Sequence, residues 1–397
     1  MPTRAAAAQQ APCMAMPAKR RALVVLPTLN EARHIEAVLR SLQEQPPDGW
    51  ALRFVVCDGG SHDGTQAIVQ RLAQAVDRTG DDKGQSQPSR AALQPAIELH
   101  LLHNPKRIQS AAVNLAVRRW GADCEVLLRC DAHAAYPPRF IARLLHRLDS
   151  TKADAVVVPM DSVPDPQASA GHCVQRAVAW VSDTVVGSGG SAHRGGQRSG
   201  FVDHGHHAAF RMASFRRAGG YDESFTHNED AELDCRQRAL GSRIYLDADI
   251  RLQYRPRTTF QALARQYFGY GRGRSRTVRR HPGSWRLRQA AVPLNLVLCG
   301  LGLLSALAVA VGAPAWVGLP AAWPLLYAVA LMFTSAGVAW RRRSLCGLWA
   351  GPAAGVMHLA WAAGFGVGWL RMREMAWQPP THSAEQPAVG IAAEARH

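Results

Sequence analysis

The run Arg53-Phe54-Val55-Val56-Cys57-Asp58-Gly59-Gly60-Ser61-His62-Asp63-Gly64-Thr65 holds an apolar strand, a polar turn and the start of a helix in immediate succession. A strand apolar at consecutive positions is buried on both faces, the condition of a parallel sheet covered by helices. Similar runs at residues 22–26, 97–102, 125–130 and 155–159 alternate with amphipathic stretches at about 32–44, 64–77, 110–119 and 138–148. The alternation predicts an α/β domain on a mostly parallel sheet over about residues 21–260. Residues 1–20 read as a disordered lead, 78–95 as a surface insertion, and the glycine-rich 187–205 as a flexible loop.

Ligands of open parallel sheets bind at the carboxyl ends of the strands. The residues there are Pro27-Thr28-Leu29-Asn30-Glu31, Asp58-Gly59-Gly60-Ser61, Asn104-Pro105-Lys106-Arg107 and Asp131-Ala132-His133. Carboxylates, amides, turn glycines and two cations on one sheet edge suit a phosphorylated ligand. Asp63 and Thr65 serve equally well as caps of the following helix.

The formal net charge of +16 is confined to one block. Residues 1–249 carry 29 Lys/Arg against 27 Asp/Glu, whereas residues 250–373 carry 16 Arg and no acid. A diffuse polycation would coat nucleic acid, but this excess adjoins long uncharged stretches. No charge occurs in the 52 residues 289–340 or the 27 residues 344–370. A spanning helix needs about 20 apolar residues, so three spans are expected near 291–312, 321–340 and 348–369, after a basic interfacial segment at 261–290. Arg272, Arg274, Arg276, Arg279, Arg280, Arg286 and Arg288 precede the first span, and Arg341, Arg342 and Arg343 separate the second from the third. Positive loops stay cytoplasmic. That rule expects a multi-pass inner-membrane protein with a cytoplasmic catalytic domain and an outward tail (371–397, read as disordered), although Arg371 and Arg373 oppose the last step. The eight dispersed cysteines lack a Cys-x-x-Cys pair, and a cytoplasmic domain is expected to keep them reduced.

The ordered motifs Pro27-x-x-Asn30-Glu31, Asp58-Gly59-Gly60-Ser61-x-Asp63-Gly64-Thr65, Asp131-x-His133 and Asn228-Glu229-Asp230 resemble the inverting family 2 glycosyltransferases of the GT-A fold. Asn104-Pro105-x-Arg107-x-Gln109-Ser110, the 205–211 run Gly-His-His-Ala-Ala-Phe-Arg, and Tyr267-Phe268-Gly269-Tyr270-Gly271-Arg272-Gly273-Arg274 before the spans are similar to the ExoA-type enzymes of exopolysaccharide assembly.

The resemblance implies a UDP-sugar donor, plausibly UDP-glucose, gripped by Thr28, Asn30, Glu31, Gly59 and Arg107, with Asp58 accepting from the uracil ring. Asp131 would address the ribose and a divalent metal, Mn²⁺ or Mg²⁺. His133 stands where the broader family has a second Asp, and it is either a metal ligand or a donor to phosphate. Inversion needs a general base, which the resemblance assigns to Asp230. Carboxylates at a helix start are also favoured by its dipole. Glu229 would orient a partner or contact the acceptor. Asp203-His204-Gly205-His206-His207 has no cysteine or second cluster, so His207 reads as a phosphate or acceptor contact rather than a zinc ligand. Arg272 and Arg274 would hold the diphosphate of the donor or of a polyprenyl-diphosphate-linked saccharide acceptor, and the remaining arginines would meet anionic membrane lipids.

A processive synthase would carry Gln-x-x-Arg-Trp before its spans, and Arg265-Gln266-Tyr267-Phe268 stands there instead. The expected activity is therefore non-processive hexosyl transfer. A polyprenyl-phosphate sugar synthase is the nearest alternative. A basic nucleic-acid-binding membrane protein lacks a recognised module, so no nucleic-acid partner is expected. A non-catalytic subunit is favoured by His133 alone.

Overall fold

The computed structural model describes residues 19–43, 47–81, 97–164, 173–190, 194 and 196–380. The N-terminal lead, Cys13, most of the expected insertion and the end of the tail lie outside them.

Among the described residues, ten strands alternate with helices in the catalytic domain: β1 (Arg20–Thr28), β2 (Trp50–Asp58), β3 (Ile97–His103), β4 (Val126–Arg129), β5 (Ala155–Val158), β6 (Met160–Ser162), β7 (Gly200–Phe201), β8 (His206–Arg211), β9 (Ile244–Leu246) and β10 (Leu252–Tyr254). The helices are α1 (Ile35–Leu42), α2 (Thr65–Asp81), α3 (Gln109–Trp120), α4 (Phe140–Thr151), α5 (Cys173–Ser182), α6 (Val185–Ser188), α7 (Met212–Arg217), α8 (Glu229–Ala239) and α9 (Phe260–Arg280). After them come α10 (Leu287–Ala310), α11 (Ala322–Arg342) and α12 (Ala350–Arg371).

Eight strands form one sheet in the order β3-β2-β1-β4-β8-β5-β9-β7, with β7 and β8 antiparallel to their neighbours. Successive side chains of a strand point to opposite faces, and β1 shows the result. Ala22, Val24 and Leu26 pack with α1, α2 and α4, while Leu23 and Val25 pack with α3, α7 and α8. Burial on both faces accounts for the unbroken apolar runs. The ends of β1, β2 and β4 then project Thr28, Asp58 and Asp131 from one edge, since β1 pairs in parallel register with both β2 and β4.

Among the described residues, three helices are long and apolar enough to cross a membrane, Leu287–Ala310, Ala315–Arg342 and Leu345–Arg371. They differ in surroundings. In the most apolar window of the third, 44% of residues are buried inside the protein, against 6% and 0% in the others. Its small-residue face meets α9, whose Gly271 lies against the Trp361 carbonyl, while Gly364 lies against the Phe268 carbonyl. Ala350, Ala353, Ala354 and Met357 share a third core with Ala177, Val178, Val181 and Leu263.

Three expectations are corrected here. Cys173 and Cys346, expected as separate thiols, are paired in a disulfide with their Cα atoms 4.6 Å apart. The chain after α12 does not leave the catalytic domain: Glu374 pairs with Arg276, and the Trp377 amide donates to the Arg280 carbonyl at 2.9 Å. Arg276, Arg279 and Arg280 are turned to the protein rather than to headgroups. They donate to the Ser224 carbonyl at 2.7 Å, to the Gly368 carbonyl at 2.9 Å and to Asp222.

Candidate active site

A cavity of about 2180 Å³ opens at the carboxyl edge of the sheet, lined there by Thr28, Glu31, Arg107, Asp131 and His133. It continues past Glu229 and Asp230 to Arg274 and Arg288, and ends among Val292, Tyr327, Leu331 and Trp361 of the apolar helices.

The loops at the sheet edge hold one another. Asn30, in the left-handed region at φ 57°, accepts from the His62 amide at 2.9 Å, and its own amide donates to Ser61 Oγ at 2.8 Å. Asp63 accepts from the Ala32 amide at 2.9 Å and the Thr65 amide at 3.1 Å, so it caps the loop before α2. Asp58, only 1% exposed, accepts from the Gly60 and Ser61 amides at 2.9 and 2.8 Å and from Gln66 Nε2 at 2.6 Å. It shapes the turn and does not line the cavity, in contrast to the expected contact with the donor base. Gly59 packs on the backbone of Arg107, where a Cβ would sit 3.4 Å from Arg107 Cα. Thr28 is buried and donates to the Leu26 carbonyl at 3.0 Å.

Around the end of β4 lies a dense charge cluster. Arg129 is buried, pairs with Asp230, and has Asp131 at 3.8 Å and Glu229 at 3.9 Å. Burial opposes its charge, yet Asp230 and its neighbours hold the guanidinium well above its usual range. Burial alone would raise the Asp230 carboxyl, but Arg129 and then His207 outweigh it and hold it well below the usual range. Glu229 is pushed up to about 7, first by burial and then by the charge of Asp230. Two adjacent carboxyls are thus separated in protonation, one ionised and one partly protonated near neutrality.

Behind them, His207 is 1% exposed. Its Nε2 is 2.7 Å from Asp234 and its Nδ1 2.7 Å from Tyr221 Oη and 3.3 Å from Asp230 Oδ1. Burial works against the imidazolium, but Asp234 raises it well above the ordinary value. His207 therefore supports Asp230 from within the core, correcting the expected substrate contact. His206 lines the cavity instead, 3.5 Å from Asp131 and 4.0 Å from Asp230 Oδ2. Arg272 reaches only Thr226, at 3.4 Å, and does not line the cavity, whereas Arg274 does.

Sequence reading missed Arg129, Gln109, Tyr221 and Asp234. Arg129 had a visible signal, a charge inside the otherwise apolar run 126–130. Gln109 donates to Asp131 at 2.9 Å. It stood in a quoted motif without an assigned role.

The donor set fits a divalent cation. His133 Nδ1 is 2.9 Å from Glu31 Oε1, the carboxylate–histidine arrangement that leaves Nε2 for a metal, and Asp131 supplies a hard oxygen across the same cavity. No group of three or more ligating side chains occurs among the described residues. Mg²⁺ and Mn²⁺ sites of nucleotide enzymes commonly use one or two protein ligands and complete the shell with phosphate and water.

The protein family described as Glycosyl transferase family 2 matches residues 23–219. The succinoglycan biosynthesis protein ExoA of Rhizobium meliloti is 42% identical over 344 residues, which cover 86% of this chain and 93% of that protein. Polyprenol monophosphomannose synthase of Mycolicibacterium smegmatis is 28% identical over 132 residues, 33% of this chain and 42% of that one. Among solved structures, the mannosyltransferase PcManGT of Pyrobaculum calidifontis, in complex with GDP-Man and Mn²⁺, aligns with a TM-score of 0.53 at 20% identity, covering 89% of this chain and 88% of that one. With the strand order and the carboxyl-edge cavity, these matches identify the chain as a member of glycosyl transferase family 2, a GT-A domain followed by three candidate membrane helices.

Proposed function

We propose that this glycosyltransferase moves one sugar from a UDP-sugar to a polyprenyl-diphosphate-linked saccharide in exopolysaccharide biosynthesis, with inversion and without processive elongation. UDP-glucose is the first donor to test. One observation carries the reading: a single cavity joins the sheet edge, the Asp230 cluster and the apolar helices. A nucleotide sugar and a lipid-borne acceptor can meet in it at one carboxylate. The likeness to the succinoglycan protein supports the pathway.

In this scheme Thr28, Glu31 and Arg107 bind the donor. Asp131 and His133 hold a divalent cation, which supplies charge neutralisation at the diphosphate when bound. Asp230 takes the proton of the acceptor hydroxyl as its oxygen bonds to the anomeric carbon and the bond to the diphosphate oxygen breaks, releasing UDP. Arg129 and His207 engage Oδ1 of Asp230, leaving Oδ2 as the oxygen for that proton. Their pairing keeps the carboxylate ionised, the state a base requires, at some expense of basicity.

Arg274 suits the acceptor diphosphate. Its hydrogen-bond acceptors are the neutral Gln289 side chain and the Ser284 carbonyl, and burial together with Arg286 and Arg288 pushes it down to about 10. A half-buried cation without a carboxylate partner favours an anionic ligand. The arginines beside α10 and α11 support a catalytic domain on the cytoplasmic side of the inner membrane.

Purified protein in detergent, given UDP-glucose, Mn²⁺ and a lipid-linked acceptor, is expected to release UDP. Asp230→Asn should abolish release and preserve UDP binding by calorimetry, and an active Asp230→Asn would sink the base assignment. The partial likeness to a polyprenol monophosphomannose synthase supports a second reading, in which the lipid phosphate is the acceptor. Turnover with polyprenyl phosphate and none with the diphosphate-linked saccharide would favour it.

A further inference from the structure

We infer that the lipid end of the acceptor enters through a side opening between α10 and α11, and that the isoprenoid units next to the diphosphate lie in an apolar groove walled by these two helices and α12. The inference rests on the proposed lipid-linked acceptor and names where its chain is held.

Helices α10 and α11 meet away from the catalytic domain. There Trp323 Nε1 donates to Asn295 at 3.0 Å, and Gly302 lies so near Pro324 that a Cβ would sit 2.6 Å from its ring. Nearer the catalytic domain they part around the cavity, with Leu287 and Val292 of α10 on one side and Ala330, Leu331 and Thr334 of α11 on the other. Positions 327, 330, 331 and 334 follow one another at three- and four-residue spacings, so they share a face of α11.

Helix α12 closes the back of this groove. Ser335 Oγ accepts from the Gly351 amide at 2.9 Å, the Leu331 carbonyl lies against Gly351, and the rings of Trp285 and Phe365 are 5.8 Å apart at the foot of α10. The polar side chains in the wall satisfy each other. His358 Nε2 donates to the Val186 carbonyl at 2.8 Å, so its Nδ1 is the acceptor for Tyr327 Oη at 2.9 Å. Met357 and Trp361 complete a lining that carries no charge.

Exposure marks the mouth. Leu287 is 85% and Val185 77% exposed although both line the cavity, and Ala330 is exposed as well. Open apolar side chains beside two candidate spans admit a hydrocarbon chain directly from the bilayer. Further in, the lining changes character: Arg288 and Arg274 stand between the groove and Asp230. Arg288 donates to the Gly189 carbonyl at 2.8 Å and Arg274 to Gln289 at 3.0 Å, and among the described residues neither has a carboxylate partner. Two such guanidiniums match a diphosphate, whereas a bilayer phospholipid brings a single phosphate. Continuity selects the same occupant. A chain that ends in a diphosphate and a sugar reaches from the mouth past both arginines to Asp230, and a phospholipid has no group for that far end.

The first test narrows the mouth without touching the charged cluster. Ala330→Trp is expected to raise KM for the polyprenyl-diphosphate-linked acceptor by about tenfold, the equivalent of losing about two buried methylenes, with KM for the UDP-sugar and kcat unchanged. Met332→Trp, exposed on α11 and outside the cavity, is expected to change none of these. An unchanged acceptor KM in Ala330→Trp, or an equal rise in Met332→Trp, would overturn the inference. The second test needs no turnover: a benzophenone amino acid replaces Ala330 or Met332 in the full chain, in phosphatidylcholine vesicles holding a tritiated long-chain polyprenyl diphosphate. Label captured at 330 and not at 332 supports the groove. Capture at both positions or at neither, or of phosphatidylcholine alone, overturns it. The two readings fail separately. Capture at 330 in a protein that turns over no lipid-linked acceptor keeps the groove and retires the acceptor reading, whereas normal turnover without capture retires the groove alone.

Discussion

Glu229 and Asp230 differ by one position in sequence and are pushed in opposite directions, because Arg129 pairs closely with Asp230, which also has His207 at 3.3 Å, and stands 3.9 Å from Glu229. For Glu229, burial and then the charge of Asp230 outweigh Arg129, and it is pushed up to about 7 from 4.5. The sign of its effect on stability follows. Between about pH 4.5 and 7 the unfolded chain has released the proton and the folded chain retains it, so stability is greatest below that window and is lost as pH rises through it. The loss is roughly 3 kcal/mol at most, from about 1.4 kcal/mol per pKa unit. Glu229→Gln removes the titration, so the variant is expected to be more stable than the parent at pH 8 and to lack the fall from pH 5 to 7. Denaturation midpoints at pH 5, 6, 7 and 8 check this, and an unchanged fall in Glu229→Gln would refute the assignment. The sequence put both carboxyls at a helix start but could not rank them, since the deciding cation comes from a strand 100 residues earlier.

Among the elements, α9 and α12 show what a motif can hide. Gly269, Gly271 and Gly273 were legible as part of a family-like run, but the reason for glycine is the close approach of another helix and of the His227 loop. A Cβ at Gly271 or Gly364 would overlap a backbone carbonyl of the partner helix, and overpacking of this kind costs about 1–3 kcal/mol. Gly366, on the same helix as Gly364, has nothing within 4 Å of an added Cβ, and glycine-to-alanine in a helix interior gains up to about 1 kcal/mol. Gly271→Ala and Gly364→Ala are thus expected to lower the thermal midpoint in detergent and Gly366→Ala to leave or raise it. A neutral Gly271→Ala would mean that the helices are not in close contact. The parallel sheet was legible in the same sequence because apolar runs report burial on two faces directly. The three apolar helices were legible for the same reason. The α9–α12 contact was not, because hydropathy reports how apolar a helix is and not what lies against it.

For the whole molecule, the catalytic domain, α9, α12 and the following segment form one body, and the Cys173–Cys346 bridge closes it where Arg342 lies over Trp180 at 5.8 Å. The pair is 173 residues apart in sequence, so spacing gave no sign of it. Its presence conflicts with a domain kept in a reducing cytoplasm, unless the two thiols are dithiol in the cell and oxidise after isolation. The fold allows that without rearrangement, because the flanking core of Val178, Ala350 and Ala353 holds the two backbones within bridging distance. Acid-quenched cells treated with a mass-tagging maleimide under denaturing conditions are expected to show both thiols tagged, relative to a Cys173→Ser, Cys346→Ser double variant. The same protein exposed to air should lose those two tags and regain them with reductant. Absence of the tags in cells would mean that the bridge forms there. The face that carries Arg341–Arg343 and the catalytic domain would then lie in an oxidising compartment, and the cytoplasmic orientation would fall.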